Sequence, residues 1–376
     1  SESLNSTITP SSSSLEGKKH SVRLGWLDAL RGFTMILVVT NHVALKSFGM
    51  QIRWSAAIQF FLLFRMPLFF FISGFLAYKA NRVWNARTLG ELSLKKLRVQ
   101  IVPTVVFFLL FLTMIPTTPF AESLSKALAS SMKAGYWFTL VLLYMLLAYY
   151  LFSYVESKLA SLHFPLSTFL LPLLFLVSLG FFETCYLPRY FNWALGHKGP
   201  SNEFLNYTSL VEMFRYFPFF LFGNIVHRYW AQAQRLMDSA WLFPVVTVLA
   251  VVSTLEVLVW HNLRMEWASL PHTLAMFLLL SMVFMFFRHY HEFFEQTRFG
   301  TGLQFIGRRT LDIYLLHYFF LPKLPMVGEF FRLNRHNFVL DTTASLAIAL
   351  LVVAFCVITS QLLRVSPFFR KYLFGR

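Results

Sequence analysis

Apolar runs of membrane-spanning length recur along almost the whole of this chain, and that recurrence limits the fold more than any motif does. A helix needs about 20 mainly apolar residues to cross the hydrocarbon core of a bilayer. Runs of this kind read at 24–45, 58–78, 99–117, 135–156, 164–184, 211–229, 240–260, 268–287, 304–322 and 343–364. No alternating strand pattern competes with them. Of the 376 residues, 57% are hydrophobic and 13% charged, against about 25% charged in soluble domains. An ordinary soluble enzyme, a disordered protein and a disulfide scaffold are thereby excluded. The two cysteines, Cys185 and Cys356, read as small apolar packing residues rather than a bridge or metal site, and no metal is expected. The expected architecture is an all-α polytopic membrane protein with about ten transmembrane helices. It comprises a disordered Ser/Thr-rich tail at 1–20, one ten-helix membrane domain at 21–366 and a basic tail at 367–376. Arg65 and Pro67 interrupt the second run, so a broken helix is expected there.

Basic residues set the expected orientation. With a cytoplasmic N-terminus, twenty Lys and Arg fall in the inner segments and ten in the outer ones. Both termini are therefore expected inside. The formal net charge of +16 is scattered in short segments between apolar runs. That pattern points to anionic lipid and a polyanionic ligand, not to nucleic acid. The longest outer segment, about 185–210, is a candidate for shaping a substrate site.

Ionisable groups inside spans are costly, by about 2.5–3.5 kcal/mol on insertion scales, and each is a functional candidate. The first run carries Asp28, Arg31 and His42. Eleven residues turn a helix through about three turns plus 20°, so Arg31 and His42 share one face, about 16 Å apart along the axis. Asp28, one turn before Arg31, is its expected structural partner. By depth, His42, Arg65, Trp137, Glu183, Glu212, Arg215 and His317 fall towards the outer side. Arg31, Lys95, Lys96, Arg98, Arg308 and Arg309 fall towards the inner side. Asp312 reads as a cap or interhelical partner. The expectation is an inner basic layer that holds a phosphate-bearing donor and an outer histidine layer that works on a second substrate. Lipid-headgroup charges, a packing histidine and an aromatic belt are the simpler readings of the same residues. Spacing alone does not separate an enzyme from a transporter.

Several segments carry a family resemblance. Residues 23–32 (RLGWLDALRG), with His42 following Arg31 by eleven positions, resemble the first helix of the membrane acyltransferase-3 family. So do 66–75 (MPLFFFISGF), 135–138 (GYWF), 216–223 (YFPFFLFG) and 305–317 (FIGRRTLDIYLLH), in family order over about 22–365. The resemblance implies transfer of an acyl group, usually acetyl and sometimes succinyl, from cytoplasmic acyl-CoA to sugars of envelope or exported glycans. It implies a bacterial inner membrane, a glycan or lipid-linked sugar acceptor and contact with glycan-assembly proteins. Arg31 and His42 match the family's arginine and histidine. Lys95 and Arg98 match its basic-x-x-arginine motif, with Lys where Arg is usual and Gln100 where another basic residue is common.

On this reading Arg31, Lys95, Lys96, Arg98, Arg308 and Arg309 bind the acyl-CoA donor. His42 acts as general base or is transiently acylated. Arg65, Trp137, Glu183, Arg215 and His317 orient the acceptor. Ser73 is an alternative nucleophile, although Ser-Gly pairs in membrane helices more often mark close packing. A polysaccharide or anion transporter using the same polar track, and an idle partner of a polysaccharide synthase, are the competing classes. One broken helix and no repeat favour the enzyme.

Overall fold

The computed structural model describes residues 23–186, 203–260, 270–334 and 337–375. Of these, 84% are helical and none forms a strand. The chain runs through α1 (Gly25–His42), α2 (Ala56–Leu62), α3 (Arg65–Ala77), α4 (Ala86–Lys96), α5 (Val102–Met114) and α6 (Phe120–Ala129). It continues through α7 (Trp137–Ser161), α8 (Leu170–Tyr186), α9 (Glu203–Thr208), α10 (Leu210–Arg228), α11 (Trp230–Asp238) and α12 (Leu242–Leu255). The last are α13 (Leu270–His289), α14 (His291–Gln296), α15 (Arg298–Gly307), α16 (Thr310–Phe320), α17 (Pro325–Leu333), α18 (Phe338–Arg364) and α19 (Pro367–Tyr372).

Six described segments are long and apolar enough to cross a membrane by themselves: Ala57–Ala77, Ala86–Met114, Trp137–Ser161, Leu242–Trp260, Pro271–His289 and Phe338–Arg364. Their surroundings differ. The hydrophobic window of Ala57–Ala77 is 72% buried by neighbouring helices, and that of Leu242–Trp260 only 11%. The first is therefore a core element and the second a peripheral one. Val248, Val251 and Val259 on the peripheral segment are exposed, as are Leu351, Phe355 and Ile358 on α18. Such apolar faces need lipid around them.

At the centre lies α1. It is buried along nearly its full length, with packing from α15, α18, α14, α3 and α16. Glycines set the closest crossings. A Cβ on Gly32 would stand 2.0 Å from the Leu303 carbonyl oxygen, and one on Gly307 1.8 Å from that of Asp28. Thus α1 and α15 touch backbone to backbone. Between α3 and α10, Gly74 meets the Phe220 carbonyl and Gly223 meets the Phe71 carbonyl in the same manner. Small residues let helices approach closely where no hydrophobic effect drives them together. Ser73 donates to the Phe69 carbonyl at 2.9 Å beside this crossing, as the packing reading expected.

The second run is broken, as its sequence implied. The interruption falls at Leu63–Phe64, where Phe64 adopts φ −137° and ψ −15°. Arg65 opens α3 and Pro67 sits in its first turn, where a missing N–H is tolerated. A second break divides the run expected at 304–322. Gly307 ends α15, Arg309 adopts φ −119° and ψ 21°, and Thr310 opens α16. No proline marks it. The Arg309 guanidinium lies 3.6 Å from the Phe305 ring centre and donates to the Phe305 carbonyl at 2.9 Å. Cys356 is fully buried among apolar residues. The expected tail at 1–20 and the segment 187–202 lie outside the described residues.

Replacing Gly32 by Ala should destabilise the protein by about 1–3 kcal/mol, because backbone stands where the methyl must go. Gly90→Ala, on an exposed turn of α4 with nothing within 4 Å, should instead be neutral or stabilising by up to about 1 kcal/mol. Thermal unfolding of both variants in detergent checks the contrast.

Candidate active site

The α1 register brings Arg31 and His42 onto one neighbour. Arg31 donates to Thr310 Oγ1 at 3.2 Å, and His42 Nδ1 lies 2.7 Å from His317 Nε2. Thr310 and His317 are two turns apart on α16, so one face of α1 meets one face of α16 at both ends. The expected shared seam is present. Its two ends differ in chemistry.

At the Arg31 end, positive charge collects. Asp28 is held first by Arg23, at 2.5 and 3.1 Å, and more loosely by Arg31 at 3.7 Å. Arg31 is therefore only part-neutralised. Lys95, Arg82, Lys79 and Arg31 all act electrostatically on Lys96. This adds Lys79 and Arg82, which motif reading had not singled out, to the expected Lys95 and Lys96. Arg98 is exposed in the same segment. Arg308 and Arg309 line a separate cavity of about 440 Å³ with Asp312, Ser360, Gln361 and Arg364. There Asp312 is an interhelical partner, bonded to Arg364 at 2.6 and 2.7 Å and to Ser360. Arg31 and the Lys96 group are thus linked electrostatically, while Arg308 and Arg309 line a cavity with Asp312 and Arg364.

At the His42 end, hydrogen bonds define a directed pair. The two imidazoles lie edge to edge, with centroids 5.0 Å apart and planes 7° from parallel. His317 Nδ1 lies 2.7 Å from the Tyr314 carbonyl and 3.1 Å from that of Ile313. A carbonyl can only accept, so Nδ1 carries the His317 proton. With one proton on each ring, His317 Nε2 must accept and His42 Nδ1 must donate. The tautomers follow from the bonding network. His42 Nε2 is left with its lone pair on a half-buried ring, the arrangement of a general base oriented by a second group.

Tyr318 and a strained turn hold this pair in position. The Tyr318 ring lies 3.9 Å from that of His317 and 5.2 Å from that of His42. Its hydroxyl donates to the Gly135 carbonyl at 2.8 Å, and the Tyr314 hydroxyl donates to the same oxygen. Tyr314 also accepts the Phe138 N–H at 3.1 Å, and Tyr136 donates to the Leu315 carbonyl at 2.8 Å. The GYWF segment therefore clamps α16. Three successive residues before α7 have positive φ: Lys133 at 48°, Ala134 at 55° and Gly135 at 101°. Lys133 fixes the turn by donating to the carbonyls of Leu128, Ser130 and Asn206 at 2.6–3.0 Å. A Cβ on Gly135 would stand 2.4 Å from the Tyr318 ring.

The other expected acceptor residues divide. Arg65 is buried and within electrostatic reach of both histidines. Trp137 is buried and stacks on Tyr216, with centroids 5.6 Å apart. Arg215 is drawn to Glu212 at 3.3 Å, a carboxylate that also accepts from Ser131. Glu183 lies on α8, and its side chain is outside those described. Lys46 and Tyr318 were not anticipated. Lys46 follows His42 by four residues, with its ammonium 4.5 Å from the centre of the Tyr318 ring. That i, i+4 spacing was the available signal. Tyr318 was absorbed by the aromatic-belt reading.

A bundle of apolar helices around a hydrogen-bonded pair of imidazoles defines a membrane protein with a candidate active site in its interior. The profile of the acyltransferase-3 family, described as an acyltransferase domain, matches residues 24–361, and the chain belongs to that family. No curated protein and no solved structure matches it in the same comparisons. Family and fold together make it a membrane acyltransferase.

His317→Ala removes the acceptor for His42 Nδ1–H and should lower acyl transfer by at least about 10²-fold, as loss of a histidine-orienting group does elsewhere. His317→Gln, whose amide oxygen can accept the same proton, should recover part of the rate. Gly135→Ala should lower kcat by displacing Tyr318. Steady-state kinetics of the three variants, each checked for intact folding, read these effects.

Proposed function

We propose that this protein moves an acyl group, most simply acetyl, from acyl-CoA on the cytoplasmic side of a bacterial inner membrane to a hydroxyl of an envelope or exported glycan. The observation that carries the reading is the polarity of one helix. Arg31 on its second turn is within electrostatic reach of Lys96, on which Lys95, Lys79 and Arg82 also act, and its last turn presents a base. A coenzyme with several phosphates suits the first, and a sugar hydroxyl suits the second. The orientation with both termini inside, from the distribution of Lys and Arg, assigns the cationic end to the cytoplasm.

In the proposed reaction His42 Nε2 takes the proton of the acceptor hydroxyl as its oxygen attacks the thioester carbonyl. The C–S bond breaks, the ester forms and the proton leaves with the CoA thiol. His317 holds the His42 tautomer throughout and stabilises the imidazolium formed in passing. The pantetheine arm extends along the α1–α16 seam, over the rise of about 16 Å between Arg31 and His42. Trp137 and Tyr216 supply a stacking wall for a sugar ring.

His42→Ala should lower transfer by about 10²–10⁴-fold, or to background, with folding intact. Arg31→Ala should weaken acyl-CoA binding by about 10- to 100-fold, the worth of charge-assisted bonds. Purified protein with labelled acetyl-CoA and glycan acceptors tests both. Undiminished transfer by the His42 variant, or substrate flux without release of CoA, ends the reading.

A further inference from the structure

Among the described residues, two cationic side chains are buried: Lys133 and Arg65. Their treatment is opposite. Lys133 gives its ammonium to three backbone carbonyls. Arg65, 8% exposed, has no hydrogen-bond partner for its Nε. The ionisable groups within its electrostatic reach are Tyr216, Tyr318 and the two histidines, and no described carboxylate pairs with it. Half-buried arginines elsewhere do find carboxylates: Arg228 takes Glu156 through two bonds of 2.9 Å, and Arg364 takes Asp312. A buried charge without a partner is costly, and a fold keeps one where it is used.

The uncompensated guanidinium stands where the chemistry is. Arg65 and Lys46 both act electrostatically on His42 and on His317. Lys46 has the Tyr318 ring beside it and no described carboxylate. Two cations therefore act on the base, Lys46 across the Tyr318 ring that adjoins His42, and no described carboxylate pairs with either. An oxyanion in a passing tetrahedral species does not neutralise the resting site. A ligand with a permanent negative charge does.

We propose that Arg65, assisted by Lys46, seats an anionic group, a carboxylate or a phosphate, which a substrate carries to His42. The proposal rests on the acyl-transfer reading only for the identity of that substrate. Two sources share the chemistry: the free end of a dicarboxylic acyl group, or an acidic or phosphorylated sugar of the acceptor. A fork of guanidinium donors matches either.

The full chain in nanodiscs of neutral phosphatidylcholine is titrated, at constant ionic strength, with succinate, methyl glucuronide, inorganic phosphate and the uncharged methyl glucoside. Thermal unfolding is the readout. At least one anionic probe should raise Tm saturably, and methyl glucoside should not. A response to succinate assigns the charge to the acyl group, and one to glucuronide or phosphate assigns it to the acceptor. Arg65→Gln should weaken that response by about 10- to 100-fold, and Arg65→Lys should retain part of it. Without ligand, Arg65→Gln should unfold at or above the wild-type Tm, because it removes an unbalanced buried charge. A lower Tm without ligand makes Arg65 a structural residue and overturns the proposal. So does an absent anion response, or one unchanged in Arg65→Gln. The readout needs no turnover. Failure of acyl transfer in the labelled acetyl-CoA assay is a separate result.

Discussion

The backbone contact between α1 and α15 governs the position of everything beside it. Gly32 and Gly307 each occupy a place where a methyl group would overlap a carbonyl of the other helix. Gly307 ends α15, and α16 begins three residues later. With α15 pressed against α1, the chain has little choice over where α16 starts. Thr310 arrives at Arg31, and two turns later His317 arrives at His42. Packing of small residues thus determines which imidazole meets which. The hydrogen bonds of His317 to the carbonyls behind it then determine which nitrogen of His42 is free.

Charge is distributed unevenly along this seam. Where a cation serves the fold, the structure satisfies it, as with Arg364 on Asp312 and Lys133 on three carbonyls. Cations also gather at Lys96 and its neighbours, and Arg65 has no described carboxylate partner; these are the places to which the proposals assign negatively charged ligands. The contrast is internal to one molecule and does not depend on the absolute cost of burying a charge. It separates these two basic groups from the ion pairs that join helices.

Much of this was legible in the sequence, for identifiable reasons. Helical spans are written in long apolar runs, which owe little to the rest of the chain. The common face of Arg31 and His42 follows from helical geometry alone, and α1 is unbroken between them. The break before Arg65 was readable from a cation and a proline in an apolar run. The break at Arg308 and Arg309 was not. It arises from the close seat of Gly307 on α1 and from Arg309 folding over Phe305, neither of which has a local signature. Pairing across 275 residues is likewise absent from any single-chain pattern. His317 was accordingly read by depth as an acceptor residue, and its bond to His42 came only with the fold. Gly135 belongs to a quoted motif and Tyr318 directly follows another, but their shared hydrogen bond joins two distant segments.

The central claim is that His42 offers an unprotonated Nε2 because His317 accepts its Nδ1 proton. Nitrogen-15 NMR of histidine-labelled protein in bilayers reads this directly, with the His42 and His317 signals assigned by substitution. At neutral pH His42 should appear as the Nδ1–H tautomer, coupled through its hydrogen bond to a bare Nε2 on His317. His42 found as the Nε2–H tautomer, or His317 with its proton on Nε2, would contradict the account.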